Sequence, residues 1–158
     1  MTSLNKNLKQ LAVNLGDHLS TNRLRISAAE SCTGGLFGKT VTDIPGCSIW
    51  FDCSLVTYSN EAKMNFLGVK KSTLTKYGAV SEEVVREMSE GVSHRASTEI
   101  GIAVSGIAGP DGASEKKPIG LVYIAITGPY NETLKIKKQY NPLRNRNEIQ
   151  RLSVNDCL

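Results

Sequence analysis

The chain has 158 residues, of which 40% are apolar and 22% are charged, and its formal net charge is +4. This length and composition are typical of one globular domain that buries its own core. Aromatic residues make up only 6%, and the positive charge is scattered along the chain. These features indicate neither a stacking surface for single-stranded nucleic acid nor a strongly basic face, so we expect no nucleic-acid partner.

The cysteines and the apolar runs indicate the compartment. The four cysteines form no CxxC pair, and neither His18 nor His94 stands at a zinc-like spacing from them. We therefore expect no metal site. No apolar stretch approaches the length of a membrane span, and the N-terminus lacks the apolar region of a secretion signal. These observations predict a cytoplasmic protein with free thiols that does not contact a membrane.

The first half of the chain alternates predicted helices with predicted strands. Leucines recur at helical spacing over residues 4–19, and a short strand at 24–29 follows and ends at Glu30. A turn at 31–35 leads into a helix that ends near residue 42. Residues 48–57 are rich in β-branched and aromatic side chains, which predicts an extended segment. Asn60 is predicted to cap a helix over 61–67, which Gly68 ends.

The second half continues with helices and closes with a hairpin. A short helix is predicted at 72–76, a longer one after Ser81, and a buried strand at 100–104. Residues 105–118 contain three glycines and two prolines and are predicted to form a loop. Two strands at 120–127 and 133–140 form a hairpin, and a helix over 145–155 ends the pattern. We predict one domain over residues 1–158, a three-layer α/β/α sandwich on a mixed, mostly parallel sheet.

The first candidate site is the turn that joins the first predicted strand to a helix. Ser31 follows the strand end at Glu30, and the turn closes with Gly34 and Gly35. This geometry exposes a side chain at the carboxyl edge of the sheet and directs backbone N–H groups toward it. Ser31 is therefore either a nucleophile beside an oxyanion site or a simple helix cap. Cys32 is the rival nucleophile, although a small buried cysteine is more often inert.

The second candidate site consists of Tyr58 and Lys63. Tyr58 ends an extended segment, and Lys63 lies on the predicted helix that follows. A serine nucleophile needs a base, and burial lowers the pKa of a lysine far enough for it to act as one. The hydroxyl of Tyr58 could relay a proton or hold the geometry. The alternative is a surface lysine beside a half-buried tyrosine.

The third and fourth candidates are suited to an anion. The loop at 105–112 contains Gly106 and Gly109, whose backbone can approach a phosphate or ribose closely. The loop is neither a Walker A sequence nor a dinucleotide fingerprint, and a plain glycine-rich turn explains it equally well. The run Arg144-Asn145-Arg146, at the start of the last predicted helix, is suited to a phosphate or is an exposed charged cap.

Four segments, taken together, resemble one known family. They are AESCTGG at 29–35, VTYSNEAK at 56–63, GAVS at 78–81 and GIAGPDG at 106–112. In order and spacing they resemble the CinA C-terminal domain family, and the resemblance covers residues 5–155.

The resemblance implies a hydrolase of pyridine nucleotide recycling that uses neither a metal nor a cofactor. Its substrate would be nicotinamide mononucleotide, a small-molecule partner, and its products nicotinate mononucleotide and ammonia. It implies Ser31 as the attacking group, Lys63 as the base and Tyr58 as a relay or orienting group. Amides of the turn at 32–35 would stabilise the oxyanion, and the loop at 105–112 with Arg146 would take the ribose phosphate. The residues implied to bind substrate are Glu30, Cys32, Thr33, Gly34, Gly35, Asn60, Ser105, Gly106, Gly109 and Arg146.

The chain departs from the family's pattern at three places. Ser105 stands where many relatives have threonine, and residues 144–146 read Arg-Asn-Arg where they have Gly-Asp-Arg. Residues 52–54 read Asp-Cys-Ser where Glu-Arg-Gly is more common. The competing interpretation is therefore a catalytically silent domain that binds a nucleotide or a partner. For either interpretation we expect a homodimer.

Overall fold

The computed structural model describes residues 3–158, including the side chains of residues 6–130 and 132–158. The helices are α1 (Ser3–Asn22), α2 (Leu36–Thr42), α3 (Asn60–Leu67), α4 (Lys71–Tyr77), α5 (Glu82–Ala96) and α6 (Arg146–Cys157). The strands are β1 (Ile26–Glu30), β2 (Phe51–Val56), β3 (Ile100–Gly106), β4 (Leu121–Thr127) and β5 (Thr133–Gln139). Two short 3-10 turns, Cys47–Ile49 and Pro129–Asn131, complete the chain. Within the described residues no helix is both long and apolar enough to span a membrane.

The five strands form one mixed sheet in the order β2-β1-β3-β4-β5. β1 lies parallel to both β2 and β3, whereas β4 runs antiparallel to β3 and β5 antiparallel to β4. All strands but β4 therefore point the same way, which confirms the predicted fold class and the closing hairpin. Glu30 pairs with Val56 on β2 and with Val104 on β3, so three parallel strands end side by side.

The helices cover both faces of the sheet and enclose two apolar cores. Helices α1, α2 and α6 pack together on one face, and α5 packs against the other face with α3 and α4 beside it. Successive side chains of β1 alternate between these layers: Ala28 belongs to the first core and Ala29 to the second. This alternation decides which layer each residue at the end of β1 faces.

Two predictions about local structure are wrong. The extended segment begins at Phe51, because Gly46, with φ of 82°, turns the chain into the 3-10 turn Cys47–Ile49. Asn60 is the first residue of α3 and not its cap. The cap is Ser59, whose hydroxyl accepts a hydrogen bond from the N–H of Ala62.

The remaining helix ends agree with their sequence signals. Gly68 ends α3 in the left-handed conformation, and the hydroxyl of Ser81 accepts the N–H of Val84 at the start of α5. Asn145 and Glu148 form a capping box at the start of α6. Ser59 and Asn145 thus fix where α3 and α6 begin, and both helices bring a side chain to the candidate site.

Candidate active site

Ser31 lies at the carboxyl edge of the sheet, directly after β1. Its N–H donates to the carbonyl of Val104 on β3 at 3.0 Å, which continues the strand pairing by one residue. Gly34 and Gly35 follow with φ of 63° and 95°, a conformation that costs glycine little, and they turn the chain into α2. Gly35, and not Ser31, is the residue that precedes α2, so the helix-cap interpretation of Ser31 is excluded.

Lys63 reaches the same point from α3, on the opposite side of the sheet from α2. Its side chain is fully buried, with an exposed fraction of 0%. The Nζ atom lies 3.1 Å from Ser31 Oγ, 2.7 Å from the carbonyl oxygen of Thr57 and 3.1 Å from that of Tyr58. Burial lowers the pKa of Lys63 from 10.5 to about 8. The alternative of a surface lysine is therefore wrong.

The three oxygen partners of Lys63 fit either protonation state of its amine. A charged ammonium carries three donors, whereas a neutral amine carries two donors and one lone pair. The carbonyls of Thr57 and Tyr58 accept two hydrogens but can donate none. An ammonium therefore donates its third hydrogen to Ser31 Oγ, whereas a neutral amine has its lone pair left for the hydroxyl of Ser31. In its neutral form, Lys63 is therefore within hydrogen-bond distance to accept a proton from Ser31.

The backbone after Ser31 offers two unused donors. Within residues 3–158, the N–H groups of Cys32 and Thr33 meet no hydrogen-bond acceptor of the protein. The N–H of Gly34 is already taken by the carbonyl of Ser31, and that of Gly35 by the carboxylate of Glu30. Among the amides of the predicted oxyanion turn, these two are therefore the ones without a protein acceptor in the described part of the chain.

Glu30 does not face a ligand. Its side chain is fully buried, and its carboxylate accepts five hydrogen bonds from the protein. The sequence interpretation of Glu30 as a substrate-binding residue is therefore wrong, because both carboxylate oxygens are already occupied. The interpretation of Ser105 as a substrate-binding residue is wrong for a similar reason. Its hydroxyl is buried and donates to the carbonyl of Ala79 at 2.8 Å.

Tyr58 contributes its backbone, and its side chain lies elsewhere. Its carbonyl holds Lys63, whereas the side chain is 64% exposed and its hydroxyl lies 3.5 Å from a guanidinium nitrogen of Arg146. Arg146 also donates to the carbonyl of Gly109 at 2.8 Å. Arg146 thus joins the loop after β3 to Tyr58. The hydroxyl of Tyr58 makes no direct hydrogen bond to Ser31 or Lys63.

Cys32 is a poor rival to Ser31. Its thiol is buried in the core under α1, α2 and α6, and this burial raises the pKa of Cys32 to about 12. A thiol nucleophile must be ionised, and this one stays protonated at neutral pH. All four cysteines are free thiols.

The other predicted site residues lie around this centre without a polar contact to it. Asn60 is exposed on the first turn of α3. Gly106 ends β3 where a Cβ atom would lie 2.6 Å from the side chain of Val122, so close packing explains this glycine. No three His, Cys, Asp or Glu side chains converge on a possible metal position anywhere in the described part of the chain.

Three residues of the site were given no role of their own by the sequence interpretation. Thr57 supplies a carbonyl to Lys63, Ser54 donates to Glu30 at 2.6 Å, and Gln150 donates to the carbonyl of Cys32 at 2.8 Å. A backbone carbonyl leaves no trace in the residue type. The other two contacts join residues 24 and 118 positions apart, which no local pattern reveals.

Fold and site together define an α/β/α protein with a buried serine–lysine pair at the carboxyl edge of its sheet. The model of the CinA C-terminal domain matches residues 8–158, and the chain belongs to this family. Among solved structures, the competence/damage inducible protein CihA from Agrobacterium tumefaciens superposes with a TM-score of 0.93 at 38% identity, covering 96% of this chain and 91% of that one. A CinA superfamily protein from Escherichia coli has a TM-score of 0.91 at 27% identity, covering 99% and 89%.

Curated relatives fall into a short and a long type. Nicotinamide-nucleotide amidohydrolase PncC from Enterobacter agglomerans is 48% identical over 145 residues, which are 92% of this chain and 88% of that protein. A CinA-like protein from Prochlorococcus marinus strain MIT 9215 is 55% identical over 130 residues, 82% of this chain but 31% of that protein. The chain thus spans about a third of the length of its CinA-like relatives and most of the length of PncC.

Proposed function

We propose that this chain hydrolyses the carboxamide of nicotinamide mononucleotide to give nicotinate mononucleotide and ammonia. The observation that carries the proposal is the contact between Lys63 Nζ and Ser31 Oγ, with both other positions on Nζ taken by carbonyl oxygens. The name of the relative PncC, a nicotinamide-nucleotide amidohydrolase, supports the choice of substrate.

The first half of the reaction transfers the acyl group to Ser31. The neutral amine of Lys63 takes the hydroxyl proton while Ser31 Oγ attacks the carboxamide carbon. The carbonyl oxygen becomes an oxyanion, and the free N–H groups of Cys32 and Thr33 are the donors available to stabilise it. The Lys63 ammonium then gives its proton to the departing nitrogen. The C–N bond breaks, ammonia leaves, and an ester to Ser31 remains.

The second half returns the enzyme to its starting state. Lys63, neutral again, removes a proton from a water molecule that attacks the ester carbon. The same amides stabilise the second oxyanion, and Lys63 returns the proton to Ser31 Oγ as the ester breaks. The sum is one amide and one water converted into one carboxylic acid and one ammonia. No electron is transferred, so the reaction needs no redox cofactor.

We assign the phosphorylated end of the substrate to the mouth of the site. The guanidinium of Arg146 is anchored on the carbonyl of Gly109 and pointed toward Tyr58, whose backbone carbonyl holds Lys63. An arginine held in this way retains further N–H donors for a phosphate. Removal of the amide group would serve the recycling of pyridine nucleotides.

Ammonia release from nicotinamide mononucleotide tests the proposal. We expect release by the wild type, a loss of at least about a thousandfold in Ser31→Ala and Lys63→Met, and activity within about threefold of wild type in Cys32→Ala. Loss in Cys32→Ala alone would transfer the role of nucleophile to the thiol. No release by a folded wild type would favour a silent binding domain.

A further inference from the structure

We propose that Glu30 is a positioning residue that shapes the oxyanion site by filling the neighbouring anion site with its own carboxylate. This inference rests on the proposed role of Ser31 as a nucleophile. Glu30 and Ser31 are consecutive, and alternation along β1 sends their side chains to opposite layers. Glu30 faces α2, as Ala28 does, whereas Ser31 faces α3 and meets Lys63.

The carboxylate of Glu30 accepts hydrogen bonds from the residues at the start of α2 and from Ser54. Oε2 accepts the hydroxyl of Thr33 at 2.6 Å and the N–H groups of Gly35 and Phe37 at 3.0 and 3.1 Å. Oε1 accepts the N–H of Gly38 at 2.9 Å and the hydroxyl of Ser54 at 2.6 Å. The amides at the start of a helix ordinarily attract an external anion. Here a side chain of the protein occupies them.

This occupation has two consequences for the chemistry. A substrate anion cannot settle on the amides of residues 35, 37 and 38, so the N–H groups of Cys32 and Thr33 are the donors left beside Ser31. Two contacts hold the turn in place. One is the carboxylate of Glu30, and the other is the 3.0 Å hydrogen bond from the N–H of Ser31 to the carbonyl of Val104. Because an oxyanion site works only when its donors are fixed in advance, Glu30 should influence the rate of reaction more than the binding of substrate.

The charge of Glu30 is compatible with an oxyanion nearby. Its five donors and the positive end of α2 compensate the buried carboxylate. A neutral glutamine of the same shape would present an NH₂ group to hydrogen-bond donors at one of the two oxygen positions. Glu30→Gln therefore disrupts the turn with little change in volume.

Two measurements on the full chain test the inference. The first is the rate at which a small fluorophosphonate labels Ser31, followed by intact mass, and the second is the steady-state hydrolysis of nicotinamide mononucleotide. In Glu30→Gln we expect both the labelling rate and kcat to fall at least tenfold, with KM within threefold of wild type and thermal unfolding still cooperative. A folded Glu30→Gln protein with the wild-type labelling rate would overturn the inference.

A second pair of variants covers the case in which Glu30→Gln does not fold. Ser54→Ala removes one donor from Oε1 and leaves Gly38 in place. Lys39→Ala is the matched control, because Lys39 lies on the exposed side of α2 and pairs with Asp43. We expect a two- to fivefold lower labelling rate in Ser54→Ala and no change in Lys39→Ala. Equal rates in both would refute the role of Glu30.

The two assays also separate the two proposals. If wild-type Ser31 is labelled but nicotinamide mononucleotide is not hydrolysed, the proposed substrate is wrong, and the labelling rates still decide the role of Glu30. If Ser31 is not labelled and no ammonia is released, the nucleophile itself is wrong and the inference falls with it.

Discussion

Lys63 Nζ lies 3.1 Å from Ser31 Oγ, although Ser31 directly follows a strand of the sheet and Lys63 lies on a helix beside it. The sheet edge brings them together: Ser31 follows β1, α3 begins just beyond β2, and these two strands are neighbours in the sheet. Two carbonyl oxygens hold the amine in place, and burial lowers the pKa of Lys63 to about 8. The predictions below depend on this pair and on the groups that surround it.

The first prediction concerns the dependence of the rate on pH. Only neutral Lys63 accepts the Ser31 proton, so kcat/KM should increase tenfold per pH unit below the pKa and level off above about pH 8. Ammonia release from pH 6 to 10 measures this profile. Lys63→Arg should be inactive at every pH in this range, since guanidinium does not lose its proton. A flat wild-type profile would contradict the assignment of Lys63 as the base.

The second prediction concerns stability. The pKa of Lys63 is about 8 in the folded chain and near 10.5 when unfolded, so the unfolded state binds more protons between these values. Stability contributed by this group therefore increases with pH from about 8 to 10.5, by about 3 kcal/mol in total. Urea unfolding at pH 7 and pH 10.5 should show this gain in the wild type relative to Lys63→Met. Parallel pH dependences of the two proteins would contradict it.

The third prediction separates the backbone of Tyr58 from its side chain. Tyr58→Phe keeps the carbonyl that holds Lys63 and loses only the 3.5 Å contact to Arg146. We expect kcat within about threefold of wild type and a two- to fivefold higher KM. A fall in kcat of a hundredfold or more would instead support a proton relay through the hydroxyl.

The fourth prediction assigns the phosphate to Arg146. Arg146→Met should raise KM for nicotinamide mononucleotide at least tenfold and leave hydrolysis of nicotinamide riboside, which lacks the phosphate, unchanged. Arg144→Met is the matched control, because Arg144 is exposed and pairs with Glu148 at 3.6 Å. Equal losses on both substrates would mean that Arg146 acts through the loop at Gly109 and not on the phosphate.

The fifth prediction concerns the packing that holds α3. Gly91 lies on α5 where a Cβ atom would come within 1.9 Å of the carbonyl oxygen of Leu67. Gly91→Ala must therefore separate α5 from the helix that carries Lys63, at a cost of about 3 kcal/mol. Glu90→Ala, which removes only a partly exposed pair with Arg86, should cost below about 0.5 kcal/mol. Chemical unfolding of the two variants measures both values.

Local signals in the sequence determined the elements of the fold. Leucine spacing marks α1, Ser81 and Gly68 mark helix ends, and continuous β-branched runs mark β3 and β4. Each of these signals involves residues that are close together in the chain, so it can be recognised from the sequence alone. The same is true of Ser31, because a strand, a pair of glycines and a helix follow one another at fixed spacing.

Only the tertiary structure decided what the neighbouring groups do. The sequence interpretation took Glu30 for a substrate contact and the hydroxyl of Tyr58 for a relay or orienting group. The structure buries Glu30 and places the hydroxyl of Tyr58 3.5 Å from Arg146. Thr57 lies only six positions before Lys63, whereas Ser31 reaches Lys63 because β1 pairs with β2, and this contact joins residues 32 positions apart. A hydrogen bond depends on the positions of both partners, and the order of the strands sets these positions. Residue type alone does not determine them.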